Sequence, residues 1–217
     1  IIDWVATVQG NNDDIPVNLQ LDSNNNVYLT GFSYSDTIII NRGTSEVDSL
    51  NQIIFDQSYE IVNQGSSHDT VLIKYDPDGS LNWVATVQGN QFDRPVNLQI
   101  DRLNNVYMTG YSYSDQIIIN SGTLQMVGGS NQIIFDQSYE IMNQGLYYIS
   151  YDTFLIKYDQ DGSLNWVATV QGTDDDDPVN LQLDSNNNVY MTGKSNSDQI
   201  IINRGTSEVD SLNQIIF

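Results

Sequence analysis

The chain contains no cysteine, which excludes disulfides and thiolate metal sites. The redox compartment stays open, because a large β-protein outside the cell needs no disulfide. Cations are scarce: Lys and Arg number 7 against 28 Asp and Glu, for a formal charge of −21. A surface of that sign repels phosphate backbones and anionic lipid, so nucleic acid and membrane insertion are disfavoured. It attracts basic proteins and divalent cations instead, and it keeps a β-rich surface soluble. Apolar runs are as short as Ile38-Ile39-Ile40, far below the roughly 20 residues of a membrane-spanning helix. No signal peptide is seen, but Ile1 is not methionine, so the numbering is expected to begin inside a longer or processed chain. G-x-S-x-G, a glycine-rich phosphate loop, H-E-x-x-H and C-x-x-C are all missing.

What the sequence does have is a repeat. WVATVQG begins at Trp4, Trp83 and Trp166, spaced 79 and 83 residues apart, and PVNLQ follows at Pro16, Pro95 and Pro178. NNVYLTG or NNVYMTG comes next, then an Ile triplet at Ile38, Ile117 and Ile200, then NQIIF at Asn51, Asn131 and Asn213. DQSYEI and a DT-x-LIKYD-x-DGSLNW stretch complete the unit of about 81 residues. The region 1–217 therefore reads as one domain of three tandem units: 4–82, 83–165 and a partial 166–217. The partial unit leads to the expectation of an incomplete propeller, or of a part of a larger assembly.

Period-two alternation marks the strands. Val17, Leu19 and Leu21 share one face while Asn18 and Gln20 share the other, and Val71, Ile73 and Tyr75 alternate with Leu72 and Lys74. The Ile38–Ile40 triplet and Ile53-Ile54-Phe55 are apolar on both faces, which suits strands packed between layers. Asp22-Ser23-Asn24-Asn25-Asn26 and Asp76-Pro77-Asp78-Gly79-Ser80 supply tight-turn chemistry. No sustained helical period is present. The fold class is thus all-β: β-propeller blades of four antiparallel strands, with an extra hairpin from the Ile triplet and IIFDQSYEIVN inserted before the VLIKYD strand. A β-solenoid is the competing architecture, but its repeats are usually shorter, and turns such as DPDG favour antiparallel meanders.

W-x-A-T-x-x-G, D-x-x-N-N-V-Y-x-T-G and D-T-x-L-I-K-Y-D-x-D-G-S-L-N-W together resemble the SBBP β-propeller repeat. The likeness recurs in every copy and covers the chain except the Ile-triplet insertion. It implies a propeller fold, proteins found mostly outside cells or on surfaces, and generally no assigned catalysis. Asn25, Asn104 and Asn187 stand near a hairpin position where that family prefers Gly, which Asn can fill.

Candidate chemistry is thin. The turns at Asp76-Asp78 and Asp159-Asp161 resemble calcium loops, yet Leu-Asn-Trp follows where an EF-hand needs a distal Glu, so a strand-registering turn is favoured. The run Asp174-Asp175-Asp176-Asp177 matches Asn11-Asn12-Asp13-Asp14-Ile15 and Asn90-Gln91-Phe92-Asp93-Arg94, and is expected to be a solvated loop with calcium as the lesser reading. His68, flanked by Ser66 and Ser67, is the sole histidine, and its region in the second unit is Leu146-Tyr147-Tyr148. Nothing in that spacing suggests a triad. Tyr34, Tyr59, Tyr113, Tyr139, Tyr147, Tyr148 and Tyr151 divide between cross-strand packing and recognition of sugar or protein. No catalytic residue, metal ligand or cofactor is assigned, and the ligand-binding residues stay open. The expected function is a structural or adhesive module that associates with itself or other proteins at a cell or virion surface. A glycan-binding propeller is the alternative and an enzyme scaffold comes third.

Overall fold

The computed structural model describes residues 3–62, 67–127, 130–142 and 150–217. Among them there is no helix. Sixteen strands form: β1 (Trp4–Gln9), β2 (Asp14–Leu21), β3 (Val27–Ser33), β4 (Thr37–Val47), β5 (Ile53–Val62), β6 (Asp69–Tyr75), β7 (Leu81–Gly89), β8 (Asp93–Ile100), β9 (Val106–Ser112), β10 (Gln116–Val127), β11 (Ser130–Met142), β12 (Asp152–Tyr158), β13 (Leu164–Gln171), β14 (Asp176–Leu183), β15 (Val189–Ser195) and β16 (Ile201–Thr206). They make antiparallel sheets ordered β1-β4-β5, β11-β10-β7-β6-β3-β2, β16-β13-β12-β9-β8 and β14-β15. These are β-propeller blades.

The turns follow from residue type. Asn25, Asn104 and Asn187 hold φ of 65°, 64° and 63°, the left-handed conformation that Asn tolerates where most side chains are strained. Each turn is fixed by its leading aspartate: Asp22 Oδ1 accepts from the backbone N–H of Asn24 and Asn26, at 2.8 and 2.9 Å. The DxDGS turns use their carboxylates in the same way. Asp78 Oδ1 accepts from the Ser80 N–H, and Asp76 Oδ1 accepts from Asn82 Nδ2.

The inserted hairpin forms as β4–β5 and again as β10–β11, but it does not join the strands that flank it in sequence. β10 returns to the preceding blade and pairs with β7, with Ser121 opposite Ala85, while β9 and β12 close on each other behind it. β4 pairs with β1 and β16 with β13 in the same register. Alternation within a strand says which face is buried and nothing about which strand lies alongside, so the crossover is new information. The six-stranded and the five-stranded sheet thereby each draw strands from two successive sequence units.

Blades stack face to face. Trp83, Ala85, Val87, Ile117, Ile119 and Leu72 of one sheet meet Leu98, Met108, Phe154, Ile156 and Tyr158 of the next. Val71 and Ile73, on the opposite face of β6, pack with Ile38, Ile40 and Tyr59. A central strand such as β6 is therefore buried on both sides. In the NQIIF segments of the first and third units the last two residues are exposed, Ile54 and Phe55 as well as Ile216 and Phe217, whereas Ile53 is half-buried and Ile215 is buried, its N–H donating to the Glu140 carbonyl of β11.

Candidate functional site

At one end of the blades, the starts of β2, β8 and β14 meet the ends of β3, β9 and β15. Beneath that surface each blade carries an aspartate read by serines, buried at Asp93 and Asp176 and half-buried at Asp14. Ser114 Oγ donates to Asp93 Oδ2 at 3.1 Å, Ser197 Oγ to Asp176 Oδ2 at 3.2 Å, and Ser33 and Ser35 both donate to Asp14. Burial pushes the Asp93 carboxyl up to about 8, with the Ser112 and Ser114 hydroxyls pulling the other way. Asp176 corrects the solvated-loop expectation for Asp174–Asp177. It is the third copy of the half-buried Asp14 and the buried Asp93 and is itself buried, while Asp177 pairs with Lys194 at 2.7 Å and Asp174 remains exposed.

Above this layer lie aromatic clusters at the junctions between blades. The residue before β6 or β12 is placed by its carbonyl, which accepts the N–H of the next blade's aspartate: His68 from Asp93 at 3.0 Å, Tyr151 from Asp176 at 2.8 Å. At the first junction Phe32, Tyr34 and His68 gather with ring centroids 4.4–5.9 Å apart, and Phe92 stacks on His68 at 4.3 Å. Arg94 lies over Phe32, 4.6 Å from its centroid, and donates to His68 Nε2 at 2.5 Å and to the Tyr34 hydroxyl at 2.9 Å. Burial, and next the Arg94 charge, lower the His68 pKa to about 4, so the imidazole is neutral at neutral pH. With Nε2 occupied by Arg94, His68 orients a guanidinium. It is not set up as a catalytic base.

At the second junction Tyr111, Tyr113 and Tyr151 take the places of Phe32, Tyr34 and His68, with centroids 4.7–6.2 Å apart. Asp175 and Asp177 stand where Phe92 and Arg94 stand. Burial, then a hydrogen bond with Asp177, raise the pKa of the Tyr151 hydroxyl.

Tyr34, Tyr113 and Tyr151 were thus legible as candidates, and the structure brings them to one face. Tyr59 is buried packing and Tyr139 half-buried beside the core. Ser66, Leu146, Tyr147 and Tyr148 lie outside the described residues. Phe32, Phe92, Arg94 and Tyr111 were not singled out. Their signal was that these positions change type between copies beside residues that do not. Among the described residues no group of three or more His, Asp or Glu side chains is placed to hold a metal.

A cavity of about 240 Å³ opens between β1 and β2–β3–β6, lined by Trp4, Ala6, Leu19, Leu29, Ile73 and Tyr75. The matching place between the next two sheets is filled by Tyr28 and Leu72. The cavity is therefore an inter-blade packing face.

No family model matches the chain. Over 193 residues, 88% of its length, the chain is 26% identical to an uncharacterized WD repeat-containing protein of Acanthamoeba polyphaga mimivirus. It spans 13% of that relative's length. This likeness is consistent with a β-propeller-type repeat.

Proposed function

We propose that this chain is a non-catalytic stretch of β-propeller that binds other proteins through the aromatic loop face. The observation that carries the reading is the pair of junction clusters: the Asp–Ser layer recurs in each blade, while the residues above it change from one junction to the next. Half-exposed tyrosines beside charged groups suit a protein interface. In the finer form of the proposal the module builds or decorates an extracellular, cell-surface or virion assembly, by self-association or with other proteins. The resemblance to SBBP repeats and the viral relative support that form. Glycan binding is the second reading, favoured by the exposed Tyr34 ring next to Asn12, whose side-chain amide donates to the Tyr34 carbonyl.

Parallel protein and glycan arrays test the proposal, using the chain and a Tyr34→Ala/Tyr113→Ala variant with an unchanged melting temperature. Protein signals that the variant loses support it. Protein signals indifferent to the variant, or signals confined to glycans, overturn it.

A further inference from the structure

We infer that the second junction, formed by Tyr111, Tyr113, Tyr151, Asp175 and Asp177, receives an arginine side chain presented by a basic segment of a partner protein. The inference rests on the protein-binding reading and names the chemistry of one of its sites.

The first junction shows what such a cluster holds. There the chain supplies its own guanidinium: Arg94 lies on the Phe32 ring and donates to Tyr34 and to His68. The three ring positions are reproduced at the second junction. Centroid separations of 5.9, 5.1 and 4.4 Å become 6.2, 4.8 and 4.7 Å. All three rings are now tyrosines, whose faces attract a cation. The residue in Arg94's place is Asp177 and the one in Phe92's place is Asp175, so the internal cation is replaced by two carboxylates.

The charged groups facing this cluster among the described residues are few. Lys194, on the next blade, reaches Asp177 at 2.7 Å but is two-thirds exposed. Arg94 acts on Tyr113 from the neighbouring junction. Asp175 accepts from the Tyr151 N–H at 3.4 Å, a long contact that leaves acceptor capacity. A planar guanidinium can stack on Tyr111, as Arg94 does on Phe32, while meeting the carboxylates edge-on. An ammonium cannot do both. The formal charge of −21 steers basic segments toward the face.

The test is an NMR titration of the whole chain with acetyl-Gly-Ser-Arg-Ser-Gly-amide, and with the same peptide carrying citrulline, which keeps the shape and removes the charge. The arginine peptide is expected to shift the ring resonances of Tyr111, Tyr113 and Tyr151, and the citrulline peptide to bind at least about tenfold more weakly. Asp177→Arg, which writes the first junction's residue into the second, is expected to abolish the shifts. Asp175→Asn, a milder change, should weaken binding by about threefold to tenfold. Equal binding of the two peptides, or undiminished binding to a folded Asp177→Arg variant, overturns the inference. If the arginine peptide fails while array signals still depend on Tyr34 and Tyr113, this inference falls and the protein-binding reading stands. If both fail, both fall.

Discussion

The indole of Trp83 lies against Gly162, at φ +89° in the DxDG turn that closes the same sequence unit within the next blade, so closely that a Cβ there would come within 2.8 Å of the ring. The indole N–H donates to the Gln160 carbonyl of the same turn at 3.2 Å. Trp4 stands in the same relation to Gly79 and Pro77. The tryptophan that opens a unit is therefore capped by the turn that closes the same unit in the next blade, and the two constant motifs of the repeat are one inter-blade lock. Gly162→Ala must adopt a left-handed backbone and push the ring aside, and is predicted to cost about 2–3 kcal/mol. Chemical denaturation monitored by tryptophan fluorescence measures it.

Trp83 itself is 1% exposed, between Tyr28 and Tyr158. Trp83→Ala is predicted to destabilise by about 3–5 kcal/mol, from lost transfer energy and the cavity left behind. Trp83→Phe keeps most of the burial and loses the hydrogen bond, so a smaller loss of about 1–2 kcal/mol is expected. A Trp83→Phe variant as stable as the unsubstituted chain in urea unfolding would rule out a role for the indole N–H.

The returning hairpin belongs to the core, which gives a contrast between two leucine-sized side chains. Ile119 on β10 is fully buried, whereas Leu19 on β2 is 57% exposed. Ile119→Ala is predicted to cost about 2–5 kcal/mol, and Leu19→Ala less than about 0.5 kcal/mol. Comparable midpoints for the two variants would mean that β10 does not pack as described.

Asp93 and His68 impose opposite pH dependences. The folded-state carboxyl of Asp93 titrates near 8 instead of 3.8, so between those values the native state keeps a proton that the unfolded chain has lost. Stability from this group falls as pH rises through that window. His68 is depressed from 6.5 to about 4, so there the unfolded chain binds the extra proton and stability rises with pH. From pH 6.5 to 8 Asp93 acts without that opposition, and a loss of about 1.5 kcal/mol is predicted. Asp93→Asn should abolish this loss while leaving the rise between pH 4 and 6.5. Unfolding free energies measured at several pH values, with and without the substitution, decide it.

Much of this fold was legible in the sequence, for identifiable reasons. Period-two alternation located the strands, and Asn25, Asn104 and Asn187 marked turns that need a left-handed residue. The return of β10 to β7 was not legible, because both faces of the Ile triplet are apolar and the triplet carries no label for its neighbour. The junction clusters were half visible. Tyr34, Tyr113 and Tyr151 were apparent as residues, but their grouping with His68, Arg94, Asp175 and Asp177 depends on backbone hydrogen bonds between blades. Asp176 was misread because charge density was weighed above position: it is the acid of its run that recurs as Asp14 and Asp93.

The hairpin β10–β11 of the second unit returns to extend the sheet β7-β6-β3-β2, so that strands of two successive units are joined in one blade by backbone pairing. Cross-strand backbone NOEs on isotope-labelled protein test it most directly. Contacts are expected from Trp83–Thr123 through Ala85–Ser121 to Gly89–Ile117, in antiparallel register. NOEs that instead set β10 beside β9 or β12 would contradict it.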